Sequence, residues 1–258
     1  MRYTLATAFF VGAVGGAVRA EAAPDDLVAR PLVLDDGALE LRLTVESNLE
    51  AMRVARPLSL SPDAWWGIAH GWTVGLIHSN ASLDRIDAGA TFCIRQSDAS
   101  TCRDVYRGSG VDVRYSALAG AWAIAPRVRV VIRDVEPFKP ATTLGALVRW
   151  TQGRFAIASD PYVRLPLANH SLGNRAALSV PLWLTVQPAR GVAIALHTGF
   201  DADFAVIGDG YHGPLALGVT ARVTPAVDLG VEAGWLRLLG AQPDSKRGTA
   251  LLTVDWHP

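Results

Sequence analysis

The residues best suited to covalent chemistry stand together at His78-Ser79-Asn80, where a histidine could activate a serine as a nucleophile. Such a base must lie within hydrogen-bonding distance of the serine hydroxyl. Adjacent residues of a strand point to opposite faces, so His78 and Ser79 could not make this bond within a regular strand. Because the motif lies at a predicted strand end, where the backbone can bend, a hydrolase using Ser79 stays open as the less favoured alternative to polar residues at a loop.

Cysteine and histidine offer little further chemistry. Cys93 and Cys102 flank an eight-residue polar segment, and two cysteines at this spacing in an exported chain predict one disulfide that closes a loop. The six histidines show no zinc-like pairing. We therefore predict neither a metal site nor a cofactor.

Charged residues recur at alternate positions of apolar segments and fall into two groups. If one group shared a face with water, it could attract or orient charged solutes. The basic group comprises Arg114, Arg127, Arg129, Arg133, Arg149 and Arg164, and the acidic group comprises Glu40, Glu46, Asp228, Glu232 and Asp255. Asp112 and Asp160 are exceptions within the basic segments, and Arg42 is the exception within the acidic ones.

Composition and the first residues indicate export. Half of the 258 residues are hydrophobic and 19% are charged, below the roughly 25% of soluble domains. Arg2, the apolar stretch 5–18 and Ala20-Glu21-Ala22 predict a cleaved signal peptide over residues 1–22. After it, no run approaches the roughly 18 apolar residues of a spanning helix. The net charge of zero gives no support to nucleic-acid binding.

Alternation with a period of two residues dominates the rest of the chain and predicts strands with one apolar face. In residues 38–46, for example, leucine and valine alternate with charged residues and threonine. The pattern predicts about twelve strands, near 38–47, 57–68, 72–79, 110–118, 121–134, 142–151, 154–166, 176–187, 190–201, 213–223, 226–238 and 248–257. Pro62, Pro161 and Pro181 fall inside these strands, where each removes one backbone donor.

The predicted connections alternate between short turns and longer polar loops. The long set covers about 47–56, 80–109, 135–141, 167–175, 202–212 and 239–247. Barrels of the outer membrane have short periplasmic turns and long external loops. Backbone groups that face lipid must be paired within the protein, which requires a closed sheet. We therefore predict an all-β fold, a closed antiparallel up-and-down transmembrane β-barrel over 38–258, preceded by a periplasmic segment at 23–37.

These alternating strands, the Thr-Pro-Ala and Gln-Pro-Ala-Arg turns and a last strand ending in Trp256 resemble Gram-negative outer-membrane β-barrel proteins of a porin-like, uncharacterised kind. The resemblance covers residues 38–258 and depends on pattern. It implies outer-membrane lipid and the barrel-assembly machinery as partners, and it implies no enzymatic activity. The last strand departs from the pattern, because His257 and Pro258 follow the aromatic residue.

In such a barrel, the basic and acidic groups would line different arcs of the lumen. This arrangement favours a passive channel for small hydrophilic solutes, formed by a monomer or a weak assembly. The alternative is that the charges pair and fill a narrow lumen, because unpaired buried charge is costly. The barrel would then serve a structural or adhesive function through its loops. A soluble all-β periplasmic protein also stays open, as does the question whether residues 23–37 plug the interior.

Tryptophans complete the pattern. Seven of the eight fall near predicted strand ends, which is typical of an aromatic girdle at the membrane interface. Trp183 is the exception, since its position in the alternation predicts an inward side chain. The seven are Trp65, Trp66, Trp72, Trp122, Trp150, Trp235 and Trp256.

Overall fold

The computed structural model describes residues 26–49, 58–78, 92–95, 106, 108–241 and 248–258, with the backbone alone for 92–95 and for Leu236. The predicted signal peptide, Ser79 and Cys102 lie outside these residues. Among the described residues, no helix is long and apolar enough to cross a membrane.

Fourteen strand segments form one antiparallel sheet, and they match the predicted strands closely. Two single turns of 3-10 helix, at His170–Leu172 and Phe204–Val206, lie in the connections. The segments are β1 Leu39–Asn48, β2 Leu58–Ala69, β3 Trp72–Ile77, β4 Phe92–Arg95, β5 Ser109–Tyr115, β6 Trp122–Val135, β7 Phe138–Gln152, β8 Phe155–Ser159, β9 Tyr162–Pro166, β10 Ala177–Ala189, β11 Val192–Asp203, β12 His212–Thr224, β13 Val227–Gly240 and β14 Gly248–Trp256.

The sheet closes into a barrel, because β1 pairs with β14 on one side and with β2 on the other. Two strand positions each hold two segments. Both β8 and β9 lie between β7 and β10. Both β3 and β4 pair with β2. The fourteen segments therefore occupy twelve positions, and the predicted twelve-stranded closed barrel is confirmed.

Proline explains one of these divisions. Pro161 separates β8 from β9, yet the register against β7 and β10 continues unchanged across the gap. A proline lacks the backbone N–H, so the ladder loses a bond at that position without any shift of the strand. Pro62 and Pro181 remain inside β2 and β10, where they pair with Leu43 and Gly199.

Two predicted connections differ in the structure. The loop predicted over 135–141 is a turn at Glu136-Pro137, because β6 and β7 extend to Val135 and Phe138. The predicted loop 80–109 includes β4, which continues the position of β3 beside β2. The alternation of short and long connections therefore fails at the β6–β7 turn.

The two faces of the sheet have opposite character. In β6, Val128 and Val130 are exposed on the outside, whereas Arg127 and Arg129 are buried on the inside. The same alternation holds in most strands, so a belt of exposed aliphatic side chains surrounds a polar interior. Hydrocarbon around the barrel would cover this belt, as in transmembrane β-barrels.

Most of the tryptophans lie at the end of the barrel that carries the short turns, and Trp235 lies toward the other end. Trp72 contacts Tyr115, with 4.8 Å between ring centroids, and Trp122 lies 6.4 Å from Trp150. Trp66, Phe155 and Trp256 are also exposed next to short turns or, for Trp256, at the end of the last strand. This distribution is the one expected of an interfacial girdle.

Candidate functional site

The candidate site is the interior of the barrel, and every residue of the two predicted charged groups occupies an inward position in the alternation. Asp228 is fully buried. Arg127, Arg129, Arg149, Arg164 and Glu46 are also buried, and Arg114, Arg133, Glu40, Glu232 and Asp255 are half-buried.

Asp112 anchors the arginines of β5 and β6. Its carboxylate is fully buried and accepts a bond of 2.6 Å from Arg127 Nε and one of 2.7 Å from Arg114 Nε. Arg127 Nη2 and Trp65 Nε1 each donate a further bond, at 2.9 Å. Buried charges need both opposite charge and hydrogen bonds to offset their lost hydration, and Asp112 receives both.

Asp160 is the second counter-charge within the basic arc. Arg127 Nη1 lies 2.6 Å from its carboxylate, and Arg129 Nη2 lies 3.5 Å away. Arg129 also donates to Thr143 Oγ1 at 2.9 Å and stands 4.4 Å above the ring of Tyr162. Arg127 therefore bridges the two aspartates, and the centre of the basic arc is a packed network of alternating charge.

The sequence prediction for Trp65 is wrong, because this residue lies inside the barrel and not in the aromatic girdle. Its ring is between Arg42 and Arg114, whose guanidinium carbons lie 5.4 and 4.8 Å from the ring centroid. Gly75 lies opposite it on β3, where an added Cβ would be 2.2 Å from Trp65 Cδ1. The absence of a side chain at Gly75 makes room for the indole, and an inward indole can bond to Asp112.

At the end of the barrel with long loops, two arginines have different partners. Arg164 Nη2 bonds to Asp203 at 3.1 Å. Arg133 Nη1 donates to Asn174 Oδ1 at 3.3 Å, and no carboxylate of the described residues lies within 4.0 Å of it. Among the described residues, Arg133 is therefore a positive charge without a direct counter-ion.

The acidic arc also contains its own cations. Asp228 accepts bonds of 3.0 Å from both Arg222 Nε and His257 Nε2, and it pairs with Arg30 as well. Arg42 pairs with Asp255 and, at 3.3 Å, with Glu40.

Glu232, another carboxylate of the acidic arc, pairs with a histidine. His197 Nδ1 lies 2.9 Å from Glu232, and the His197 ring stacks on Trp183 with centroids 4.8 Å apart. Trp183 thus lies on the inner face, as its position in the alternation predicted. Nothing in the alternation alone indicated that His197 would be its partner.

Residues 26–38 enter the barrel at the short-turn end and cross it, and we call them the strap. The amide of Leu27 donates to Gln187 Oε1 of β10 at 2.8 Å. At the other end, the amide of Gly37 donates to the carbonyl of Gly67 of β2 at 2.7 Å. Since β10 and β2 are six positions apart among the twelve, the strap spans the barrel from side to side.

The sequence did not predict the inward position of Trp65, and it left open whether residues 23–37 plug the interior. A signal for both was present, because glycine inside a strand often marks a close approach of other atoms. Gly75 accommodates Trp65, and Gly67 accommodates the backbone of Asp35, whose carbonyl oxygen would lie 1.9 Å from an added Cβ. The disulfide and the hydrolase alternative stay predictions, because Cys102 and Ser79 lie outside the described residues.

Solved outer-membrane channels have the same fold at very low sequence identity. A NanC porin structure superposes with a TM-score of 0.57 and 12% identity, over 85% of this chain and 99% of the porin. The KdgM porin gives 0.55 and 8%, over 84% and 98%. An outer-membrane channel from Pseudomonas putida F1 gives 0.55 and 11%, over 88% and 97%. No protein-family model and no curated protein matches the sequence.

The fold and the polar interior define the class: this is a β-barrel with a porin-like fold. Within that class it is a closed antiparallel barrel of twelve strands, similar in fold to NanC and KdgM.

Proposed function

We propose that the protein is an outer-membrane channel through which small hydrophilic solutes pass passively. The observation that carries the proposal is the contrast between the two faces of one closed sheet, apolar outside and charged inside. An apolar outer face suits lipid, and a polar inner face lowers the cost of bringing a hydrated solute into the barrel.

The distribution of charge supports a channel with unequal walls. The basic arc carries six arginines against Asp112 and Asp160, and the acidic arc carries five carboxylates against Arg42, Arg222 and, from the strap, Arg30. Local pairs reduce this difference without removing it. Arg133 is the strongest candidate to act on a passing ion, because it is half-buried at the long-loop end and lacks a carboxylate within 4.0 Å among the described residues.

One solved structure indicates the kind of solute that such a barrel can hold. The KdgM porin, in a complex with disordered oligogalacturonate, superposes with a TM-score of 0.52 and 8% identity. Oligogalacturonate is an anionic carbohydrate. In the present chain, anions would gain most from Arg133.

Single-channel recording in planar bilayers tests this proposal. We expect discrete openings of the refolded protein, with anions preferred over cations. Arg133→Glu should shift the reversal potential in a salt gradient toward the value of a cation-selective channel. Arg190→Glu makes the same charge change at an exposed short turn and should shift it much less. The complete absence of openings in any salt would reject the channel.

A structural or adhesive barrel is the second candidate, and the packed centre of the basic arc favours it. Asp112, Arg127, Asp160 and Arg129 are each at most 7% exposed, which is typical of a filled interior. This function requires a lumen that conducts no ions. It also requires that substitutions of the inner residues matter only through folding.

We further propose that the chain resides in the outer membrane, with its short turns in the periplasm, and that the barrel-assembly machinery inserts it. The exposed aliphatic belt and the aromatic girdle support this location. Membrane fractionation and heat-modifiable mobility on gels test it. Extraction without detergent would instead favour a soluble periplasmic protein.

A further inference from the structure

The strap differs from the barrel in how it is held. Residues 30–34 pair with no strand. The amides of Leu27 and Val28 share one acceptor, Gln187 Oε1, at 2.8 and 3.3 Å. The amide of Leu34 donates to the side chain of Thr73 at 2.8 Å. Single side-chain acceptors on the wall therefore hold Leu27, Val28 and Leu34, whereas a continuous backbone ladder joins the strands.

Arg30, near the middle of the strap, is held from two sides. Its side chain pairs with Asp228 of β13, and its carbonyl accepts a bond from Arg149 Nη1 of β7. Because β13 and β7 are five positions apart in the barrel, these contacts run roughly across the line of the strap. Val28 and Val33 are at most 4% exposed. The strap therefore packs into the short-turn mouth instead of hanging below it.

The contacts at Arg30 are separable from the stability of the wall. Asp228 retains Arg222 and His257 as partners when Arg30 leaves. When the strap leaves, Arg149 loses its bond to the carbonyl of Arg30, but no buried carboxylate of the described site becomes unpaired. A segment held in this way can open locally while the barrel stays folded.

We propose that the strap is a gate that closes the short-turn mouth of the channel and opens when the Arg30 contacts break. The inference depends on the proposed channel function. The closed state has both Arg30 contacts made, and passage of solutes requires the strap to move away from β13 and β7.

Gly67→Ala is the sharpest test of the gate. The nearest atoms to the added Cβ all belong to Asp35 and Leu34, the closest at 1.9 Å, so the substitution acts directly on the strap. Gly218→Ala is the matched control, because Gly218 also faces the interior and its added Cβ would have contacts no shorter than 3.6 Å. Arg30→Ala is a second variant, which removes the contact with Asp228.

Two measurements separate the gate from the channel. Hydrogen exchange of residues 26–38 reports on the strap without requiring conduction, and we expect roughly tenfold faster exchange in Gly67→Ala than in Gly218→Ala. Bilayer recordings of the same proteins report on conduction. The gate predicts a higher open probability in Gly67→Ala and in Arg30→Ala, with Gly218→Ala equal to the parent protein.

The possible results lead to different conclusions. Faster exchange with a higher open probability supports the gate. Faster exchange with an unchanged, measurable conductance overturns the gate and leaves the channel intact. Faster exchange with no conductance in any variant overturns both. Unchanged exchange in both Gly67→Ala and Arg30→Ala shows that these contacts do not hold the strap, and it overturns the proposed gate.

Discussion

Trp65 donates its indole N–H to the carboxylate of Asp112 at 2.9 Å and thereby connects β2 with β5 across the intervening β3. The bond belongs to a buried network that also includes Arg114 and Arg127. Such a network joins neighbouring strands of the barrel from inside. Its members therefore offer direct tests of the interior.

Asp112→Asn should destabilise the folded barrel strongly. The change leaves Arg114 without its carboxylate and leaves Arg127 with Asp160 alone. Removing one partner of a buried ion pair costs about 3–5 kcal/mol. Urea titration of the protein in lipid vesicles, followed by tryptophan fluorescence, measures the loss. Asp209→Asn, in an exposed loop, is the control, and equal midpoints for the two variants would contradict the buried network.

Gly75→Ala should displace Trp65, because the added Cβ would lie 2.2 Å from its Cδ1. We expect a loss of roughly 1–3 kcal/mol in the free energy of unfolding. Gly230→Ala, whose added Cβ would have no contact below 3.5 Å, should cost clearly less.

Gly75→Ala should cost little of the free energy of unfolding when Trp65 is also replaced by alanine, since the clash is then removed. A double-mutant cycle measured by the same titration gives this coupling. Strictly additive costs would show that the indole does not lie over Gly75.

Val130→Arg tests whether lipid covers the outer face. Val130 is exposed near the middle of β6, and an arginine near the membrane midplane costs about 2–4 kcal/mol. Val206→Arg, in an exposed connection between β11 and β12, should stay within about 0.5 kcal/mol of the parent protein. Comparable small costs for both variants would instead indicate water around the barrel.

The predicted disulfide can be tested directly. Peptide mapping by mass spectrometry without reduction should detect Cys93 linked to Cys102 in protein prepared under oxidising conditions. Cys102→Ser should abolish the linked peptide and leave Cys93 open to alkylation. Alkylation of both cysteines in the unreduced parent protein would refute the pairing.

The sequence alone determined the class of fold. Alternation with a period of two residues is a local property of each strand, so it located twelve strand positions and assigned Arg127 and Arg129 to one face and Val128 and Val130 to the other. The requirement that lipid-facing backbone be paired then implied closure. Pro161 was identified as a weak point for the same local reason, namely its missing backbone donor.

Only the tertiary structure decided which interior groups meet. Alternation gives the face of the sheet on which a side chain lies. It gives neither the height of that side chain in the barrel nor its neighbours on the next strands, because the register between strands sets both. The register brings Trp65 opposite Gly75, and Arg127 lies between Asp112 and Asp160. The strap has no periodicity to reveal its path. Its position depends on single contacts to Gln187, Thr73, Arg149 and Asp228, which come together only when the barrel closes.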